Sequence, residues 1–393
     1  MASHPLGVGI IGCGMLARSQ HLPNVLATPE ARLRVCCDLD EAALAECRRL
    51  APEARVTRDF REALAASDVD LAIVATSETF RLPIFQEAVR LKKPVLTEKP
   101  LAATWEECLR AHAMFAGAGV PICVGHNRRC SPAMKEARDL FRRHMESPRP
   151  CPWRFQRPGW ERIPVGAEDG LPALSIRIND DWRSWKAVHL QGIAAKVGLL
   201  LGEMTHFTDL ACWFLDADAD SVSVFGSGIL NHSVSIRFRN QAIASILMGG
   251  NGTFGYPKEL LEVMGNGGVV AVDHMLEVRT AGIEGAPARK IYPMLGDRHP
   301  NIGTEGGLSG WLAKKRAACE EAAARGDPML QFTAEPDKGH KRMLGEFLRE
   351  IRGEREPISP TAAALRGSRI CFAAVTSAME RRVVSLDEIA PAP

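Results

Sequence analysis

A lysine, a histidine and several carboxylates accompany a glycine-rich turn in this chain, a combination suited to redox and acid–base work on a small polar molecule. The turn is Gly12-Cys13-Gly14-Met15-Leu16-Ala17, a G-x-G-x-x-A pattern between an apolar run and a helical stretch. Gly12 permits a tight turn, Gly14 lets the backbone approach a pyrophosphate, and Ala17 keeps the next helix close to the sheet. Backbone N–H groups at the helix start, around Met15 and Leu16, would face phosphate oxygens. Asp38 ends the second apolar run. A carboxylate there accepts the hydroxyls of an adenosine ribose and repels a 2′-phosphate. No Arg or Lys stands between Asp38 and Cys47, so NAD is expected over NADP.

Two further groups have the chemistry of a carbinol site. Thr97-Glu98-Lys99-Pro100 follows a buried apolar run, at the strand end where open α/β sheets bind ligands. A lysine there can hold a substrate hydroxyl and stabilise developing alkoxide charge. Pro100 fixes the backbone and makes a cis bond possible. Spacing alone leaves a surface lysine in an ordinary turn equally open. In Gly202-Glu203-Met204-Thr205-His206, within an expected helix Gly198–Phe214, Glu203, His206 and Asp209 are three apart and share a face. A carboxylate beside a histidine can keep it basic and oriented, as a general base requires. The same spacing also suits a helix histidine merely satisfied by a local acid. No third ligand is evident, and no metal site is expected. Asn179-Asp180-Asp181-Trp182-Arg183-Ser184-Trp185-Lys186 offers carboxylates for sugar hydroxyls and tryptophan faces for the C–H side of a pyranose. Asp181, Trp182, Trp185 and His189 are the candidate substrate contacts. Trp153, Trp160 and His340 could join a substrate wall or serve packing.

The elements that must position these groups change character along the chain. Up to Gly125, apolar runs (Gly7–Ile11, Leu33–Cys37, Val69–Ala75, Pro94–Thr97, Val120–Gly125) alternate with helical stretches. Fully apolar strands separated by helices imply a parallel sheet covered on both faces, doubly wound by right-handed crossovers. Beyond it, Leu174–Ile178, Ser221–Phe225, Ser233–Phe238, Ala242–Leu247, Glu259–Met264 and Gly268–Val272 read as strands, several alternating with period two, and imply a mainly antiparallel sheet. Helices are expected at Ser131–His144, Ser309–Ala324, Lys338–Ile351 and Thr361–Arg381. The expected domains are 5–126, binding NAD, and 127–393, for substrate and oligomerisation, whose terminal helices are free to pack back on the first.

The 393 residues, at roughly 150 per domain, fit two or three domains. Lys plus Arg is 49 and Asp plus Glu 47, a balance that gives no support to a nucleic-acid or membrane-surface partner. Hydrophobic residues at 46% exclude wholesale disorder. No apolar run is long enough for a membrane span, and no secretory signal is visible. The 11 cysteines are scattered without a C-x-x-C, which reads as free thiols in a reducing cytoplasm.

Taken in order and spacing, GVGIIGCGMLARSQHLP, DVDLAIVATSE, KKPVLTEKPLA, VGHNRRCSPA, GEMTHFTDLACWFL and the terminal DKGH and SRICFAAVTSAM segments resemble the glucose–fructose oxidoreductase / inositol dehydrogenase / MocA (Gfo/Idh/MocA) family over nearly the whole chain. The resemblance implies an N-terminal Rossmann domain and a C-terminal α/β domain with an open antiparallel sheet that commonly builds dimers or tetramers. It implies a nicotinamide-dependent oxidoreductase acting on a secondary alcohol of a sugar, glycoside or cyclitol. Lys99 takes the place of the Glu-Lys-Pro lysine, and His206 that of the acid/base. Asn127, Arg128 and Arg129 match an N-R-R segment at the mouth of the site, and Thr76, Glu98 and Lys99 fall with the cofactor-side loops. There are two departures. Gly202 stands where many members carry an aspartate, with Glu203 one residue later. Thr76-Ser77-Glu78-Thr79-Phe80-Arg81 replaces the usual T-P-N-x-x-H, which leaves the role of Arg81 open. The competing readings are a redox-neutral epimerase or lyase that retains NAD, and a catalytically silent NAD-responsive binding protein. Keeping both Lys99 and His206 speaks against the second.

Overall fold

The computed structural model describes residues 4–146, 170–182, 194–226, 229–295, 306–326 and 335–389. The chain forms two compact units. The first holds the residues up to Cys130 together with Gly339–Arg369, and the second holds Ser131–Lys338 and Ile370–Ile389.

In the first unit, six parallel strands, β1 (Leu6–Ile11), β2 (Ala31–Cys37), β3 (Arg55–Thr57), β4 (Leu71–Val74), β5 (Val95–Thr97) and β6 (Ile122–Val124), lie in the order β3-β2-β1-β4-β5-β6. This is the dinucleotide-binding order, which reverses direction between β1 and β4. β4 is buried along its length, as a strand covered on both faces must be. Local sequence starts and stops the crossover helices. Asp40 caps Glu41–Leu50 by accepting from Ala42 N at 2.9 Å, and Thr104 and Glu107 form a capping box on Trp105–Ala118, which ends at Gly119 in the left-handed region. The helix after the glycine turn is α-helical over Leu22–Leu26 but wound as a π-helix over Ala17–His21, a rare form that concentrates at functional sites. Met343, Leu344, Phe347 and Leu348 of helix His340–Ile351 complete the core around Val8, Ile10 and Ile73.

The second unit is a nine-stranded sheet. Its order is β14 (Arg289–Ile291), β13 (Glu277–Ala281), β12 (Gly268–Asp273), β11 (Glu259–Gly265), β7 (Ala173–Asn179), β10 (Ile243–Gly249), β9 (Asn231–Phe238), β8 (Ala219–Gly226) and the short strand Val384–Ser385. Among the described residues of this sheet, only β7 and β10 pair in parallel. Period-two alternation puts Leu174, Ile176, Val234, Ile236, Ala244 and Ile246 on one face, where they pack with Met134, Phe141, Phe207, Leu210 and Cys371 from the covering helices. The opposite face exposes Phe225, Ile243, Leu247 and Met264.

The expected helix Gly198–Phe214 starts later, at Thr205–Leu215, and a separate short helix covers Ala194–Val197. Residues 198–204 run as turns in which Glu203 N and Met204 N both reach Leu199 O at 3.1 Å. Gly198, at φ +60°, causes the break: a Cβ there would collide with Ile229 O and the Trp182 ring. Glu203 therefore lies on a turn, and His206 occupies the second position of the helix.

Candidate active site

β1 ends in a turn whose two glycines do different work. Gly12 has φ +89°, and a Cβ on it would sit 2.6 Å from Thr76 N and 2.7 Å from the Ala75 carbonyl carbon. Only glycine can hold that conformation so close to another backbone. Gly14 faces open space, with nothing within 4 Å of an added Cβ. Asp38 stands at the rim of the turn. Its Oδ2 accepts from Cys13 N at 2.6 Å and its Oδ1 from Asp40 N at 2.9 Å. Two backbone N–H donors fix the orientation of the carboxylate at the rim. Met15 and Leu16 open the helix as exposed apolar residues. The buried Thr76 hydroxyl makes no hydrogen bond among the described residues. An open glycine, a held carboxylate and an unsatisfied hydroxyl fit a dinucleotide with its pyrophosphate over Gly14 and its ribose on Asp38.

At the end of β5, Glu98 is buried and His21 Nε2 meets its Oε1 at 2.8 Å. Burial alone would raise this carboxyl. The hydrogen bond from His21 and the positive charges of His21, His340 and Lys99 outweigh it and hold Glu98 down at about 2. Glu98 thus stays ionised and anchors a cluster of cations that includes Lys99. The Lys99–Pro100 bond is cis. Because the folded carboxyl is depressed below its ordinary 4.5, it stabilises the fold above roughly pH 5, and that contribution is lost as pH falls toward 2. The acid limb of the stability–pH curve should therefore carry roughly 3 kcal/mol from this group. Urea titrations at stepped pH should show a flatter limb in Glu98→Gln, and an unchanged limb would remove Glu98 from this role.

Arg81 clamps the same edge. Its buried guanidinium donates to Thr76 O at 2.8 Å and to the carbonyls of Glu98 and Pro100. Burial lowers it to about 10, opposed by the charges of Glu98 and Glu78. The one side chain ties the loop after β4 to the lysine turn after β5. A Cβ on Gly125 would lie 3.1 Å from Glu98 Oε2, so the turn after β6 closes on the same carboxylate. Asn127, Arg128 and Arg129 follow on the 3-10 turn Asn127–Cys130. Asn127 and Arg128 are buried, and Arg129 reaches Ile358 O at 3.5 Å.

In the second unit, His206 and Asp209 are buried on one helix. Glu203 is engaged elsewhere: Lys258 Nζ lies 2.8 Å from Glu203 Oε1 and 3.0 Å from Asp180 Oδ2, all three side chains being largely buried. Glu203 is half of a bridged carboxylate pair. Its backbone carbonyl accepts from His206 N at 3.3 Å. Asp181, half-buried, bridges to Asn251, and its N–H donates to Asp180 Oδ1 at 2.8 Å. Trp182 is buried, its ring slotted against Gly198 and Gly250, where an added Cβ at either position would strike it. It is a packed anchor rather than a face open for stacking. Trp185 and His189, with Trp153 and Trp160, lie outside the described residues.

Four participants escaped the sequence reading. Arg81 showed only as a departure from a motif. His21, Asp180 and Lys258 carried no spacing signal, because each meets its partner across dozens of residues.

Residues 6–126 match the family model described as the oxidoreductase family with an NAD-binding Rossmann fold, GFO_IDH_MocA. That match covers the strands and helices of the first unit and gives them the NAD-binding Rossmann fold of this oxidoreductase family. An uncharacterized oxidoreductase, YrbE, of Bacillus subtilis (strain 168) is 23% identical across 70% of this chain and 76% of its own length. Inositol 2-dehydrogenase 2 of Saccharopolyspora erythraea is 33% identical, across 35% of this chain and 40% of its own length. In three dimensions, scyllo-inositol dehydrogenase from Lactobacillus casei, solved with NAD(H) and scyllo-inositol, superposes with a TM-score of 0.68 at 16% identity, covering 98% of this chain and 99% of that one. That likeness establishes the shared fold. Among the described residues, no helix is long and apolar enough to cross a membrane.

Proposed function

We propose that this oxidoreductase is a dehydrogenase that moves hydride between a secondary alcohol of a sugar, glycoside or cyclitol and NAD. The Glu98-centred cation cluster at the end of β5, next in the sheet to the β4 loop that packs on the glycine turn, carries the reading. It supplies a fixed positive charge where a reacting oxygen gains negative charge, and substrate position and charge are what a protein must add to cofactor chemistry. Bound NAD supplies the hydride acceptor. Lys99 stabilises the carbinol oxygen as it becomes alkoxide-like. His206 takes the hydroxyl proton. Glu203, bridged to Lys258, orients the turn that leads into His206 rather than acting as a base itself. Asn127–Arg129 and Asp181 contribute hydrogen bonds to a polyhydroxylated substrate.

The direct test is a panel of cyclitols, pyranoses and glycosides followed at the NADH absorbance. Turnover with accumulating NADH supports net oxidation. Consumption of substrate without NADH release would replace this reading with redox-neutral epimerisation or elimination. Tight NAD binding with no change in any substrate would favour a silent binding protein.

We further propose that a second copy of the chain covers the open sheet face bearing Phe225, Ile243, Leu247 and Met264. Several large apolar side chains exposed on one sheet face are the kind of surface that a partner covers. Light scattering should find a homodimer or homotetramer that Leu247→Arg dissociates. A monomeric parent chain would end this proposal.

A further inference from the structure

Under the glycine turn lie three thiols that the dehydrogenase chemistry does not use. Cys13 sits between Gly12 and Gly14, Cys36 on β2 and Cys47 on helix Glu41–Leu50. Their sulfurs all lie within 4.8 Å of one another, and each residue is at most 1% exposed. Spacings of 23 and 11 residues match no metal-binding motif, so only the fold brings them together.

The environment is that of a soft-ion site. All three ligand atoms are sulfur, and thiolates select thiophilic ions over oxygen-seeking ones. The three sulfurs interact as a set. Cys13 also joins the pocket to the cofactor turn. Its N–H donates to the Asp38 carboxylate at 2.6 Å, while its Sγ leans toward Cys37 O at 3.6 Å.

We propose that Cys13, Cys36 and Cys47 form a three-sulfur site for a thiophilic d10 cation, and that its occupation opposes NAD binding by drawing the glycine turn toward the metal. For a divalent ion, three S–H bonds are exchanged for three metal–sulfur bonds, three protons leave to solvent, and no electrons move. The complex carries one net negative charge. The link to the cofactor rests on the glycine-turn reading above, whereas the metal site itself does not.

Cd(II) is the probe, with Mg(II) as the hard-ion control. NAD affinity of the metal-free chain is measured first, so that failure of the cofactor reading would show before metal is added. The chain should then take up one Cd(II), with a sulfur-to-metal charge-transfer band and an X-ray absorption shell of three sulfurs. NAD affinity should fall about tenfold, and by linkage NAD should weaken Cd(II) by the same factor. Cys36→Ser and Cys47→Ser should lose both effects, while Cys319→Ser, away from the cluster, keeps them. A shell containing nitrogen or oxygen would overturn the proposal even if neither serine variant folds. So would uptake that survives both variants, or an NAD affinity indifferent to the bound metal.

Discussion

Lys99→Ala should reduce turnover of the sugar or cyclitol substrate by roughly 10²–10³-fold, the range for removing one preorganised charge donor from a developing oxyanion. NAD affinity should stay near that of the parent chain. The reason lies in how the lysine turn is held. Glu98 is fixed by His21 at 2.8 Å, and Arg81 grips the carbonyls on either side of Lys99. The backbone of the turn should therefore survive loss of the lysine side chain, leaving the missing ammonium as the main change. Lys99→Arg sharpens the test, since it keeps the charge but replaces a compact ammonium with a planar fork. Steady-state kinetics should show kcat reduced more than KM in both variants. A kcat within a few fold of the parent would remove Lys99 from the chemistry.

Lys258→Met is expected to cost roughly 3–5 kcal/mol of stability, the range for breaking a buried ion pair from one side. The Lys258 ammonium sits 2.8 Å from Glu203 and 3.0 Å from Asp180, and the two carboxylates have side chains only 6% and 3% exposed. Without it, two negative charges share a dry pocket at the turn leading to His206. Chemical denaturation of the single variant should show the loss. The triple variant with Asp180→Asn and Glu203→Gln should recover much of it, because the uncompensated charge is gone. A single variant within about 1 kcal/mol of the parent, well short of the expected range, would mean that water reaches this pocket and screens it. Activity of the triple variant separates the roles. If His206 is the acid/base and Glu203 only positions its turn, kcat should fall modestly and its pH dependence should hold its shape.

These two predictions draw on different levels of information. The glycine turn, Asp38 and the lysine turn are local objects. Each is a short segment whose conformation follows from glycine freedom, strand burial and a proline, so their residue types announce them. The alternating strands of the second unit are legible for the same reason: period two marks a sheet with one covered face, whatever it packs against. The expected helix Gly198–Phe214 begins only at Thr205, because helical spacing of apolar residues continues through a stretch that Trp182 and Ile229 force into turns at Gly198. That constraint comes from chain elsewhere and leaves no trace in the local pattern.

What the amino-acid sequence determined unaided was the doubly wound half, the preference for NAD, and the residue types available for carbinol chemistry, because short-range sterics and hydrophobic periodicity act on neighbours in the chain. Only the folded molecule decided which ions meet: His21 with Glu98, Arg81 with three carbonyls, Lys258 between two acids, and three separated cysteines around one point. Electrostatics and ligand geometry depend on distance in space, and packing sets that distance long after sequence separation has ceased to inform.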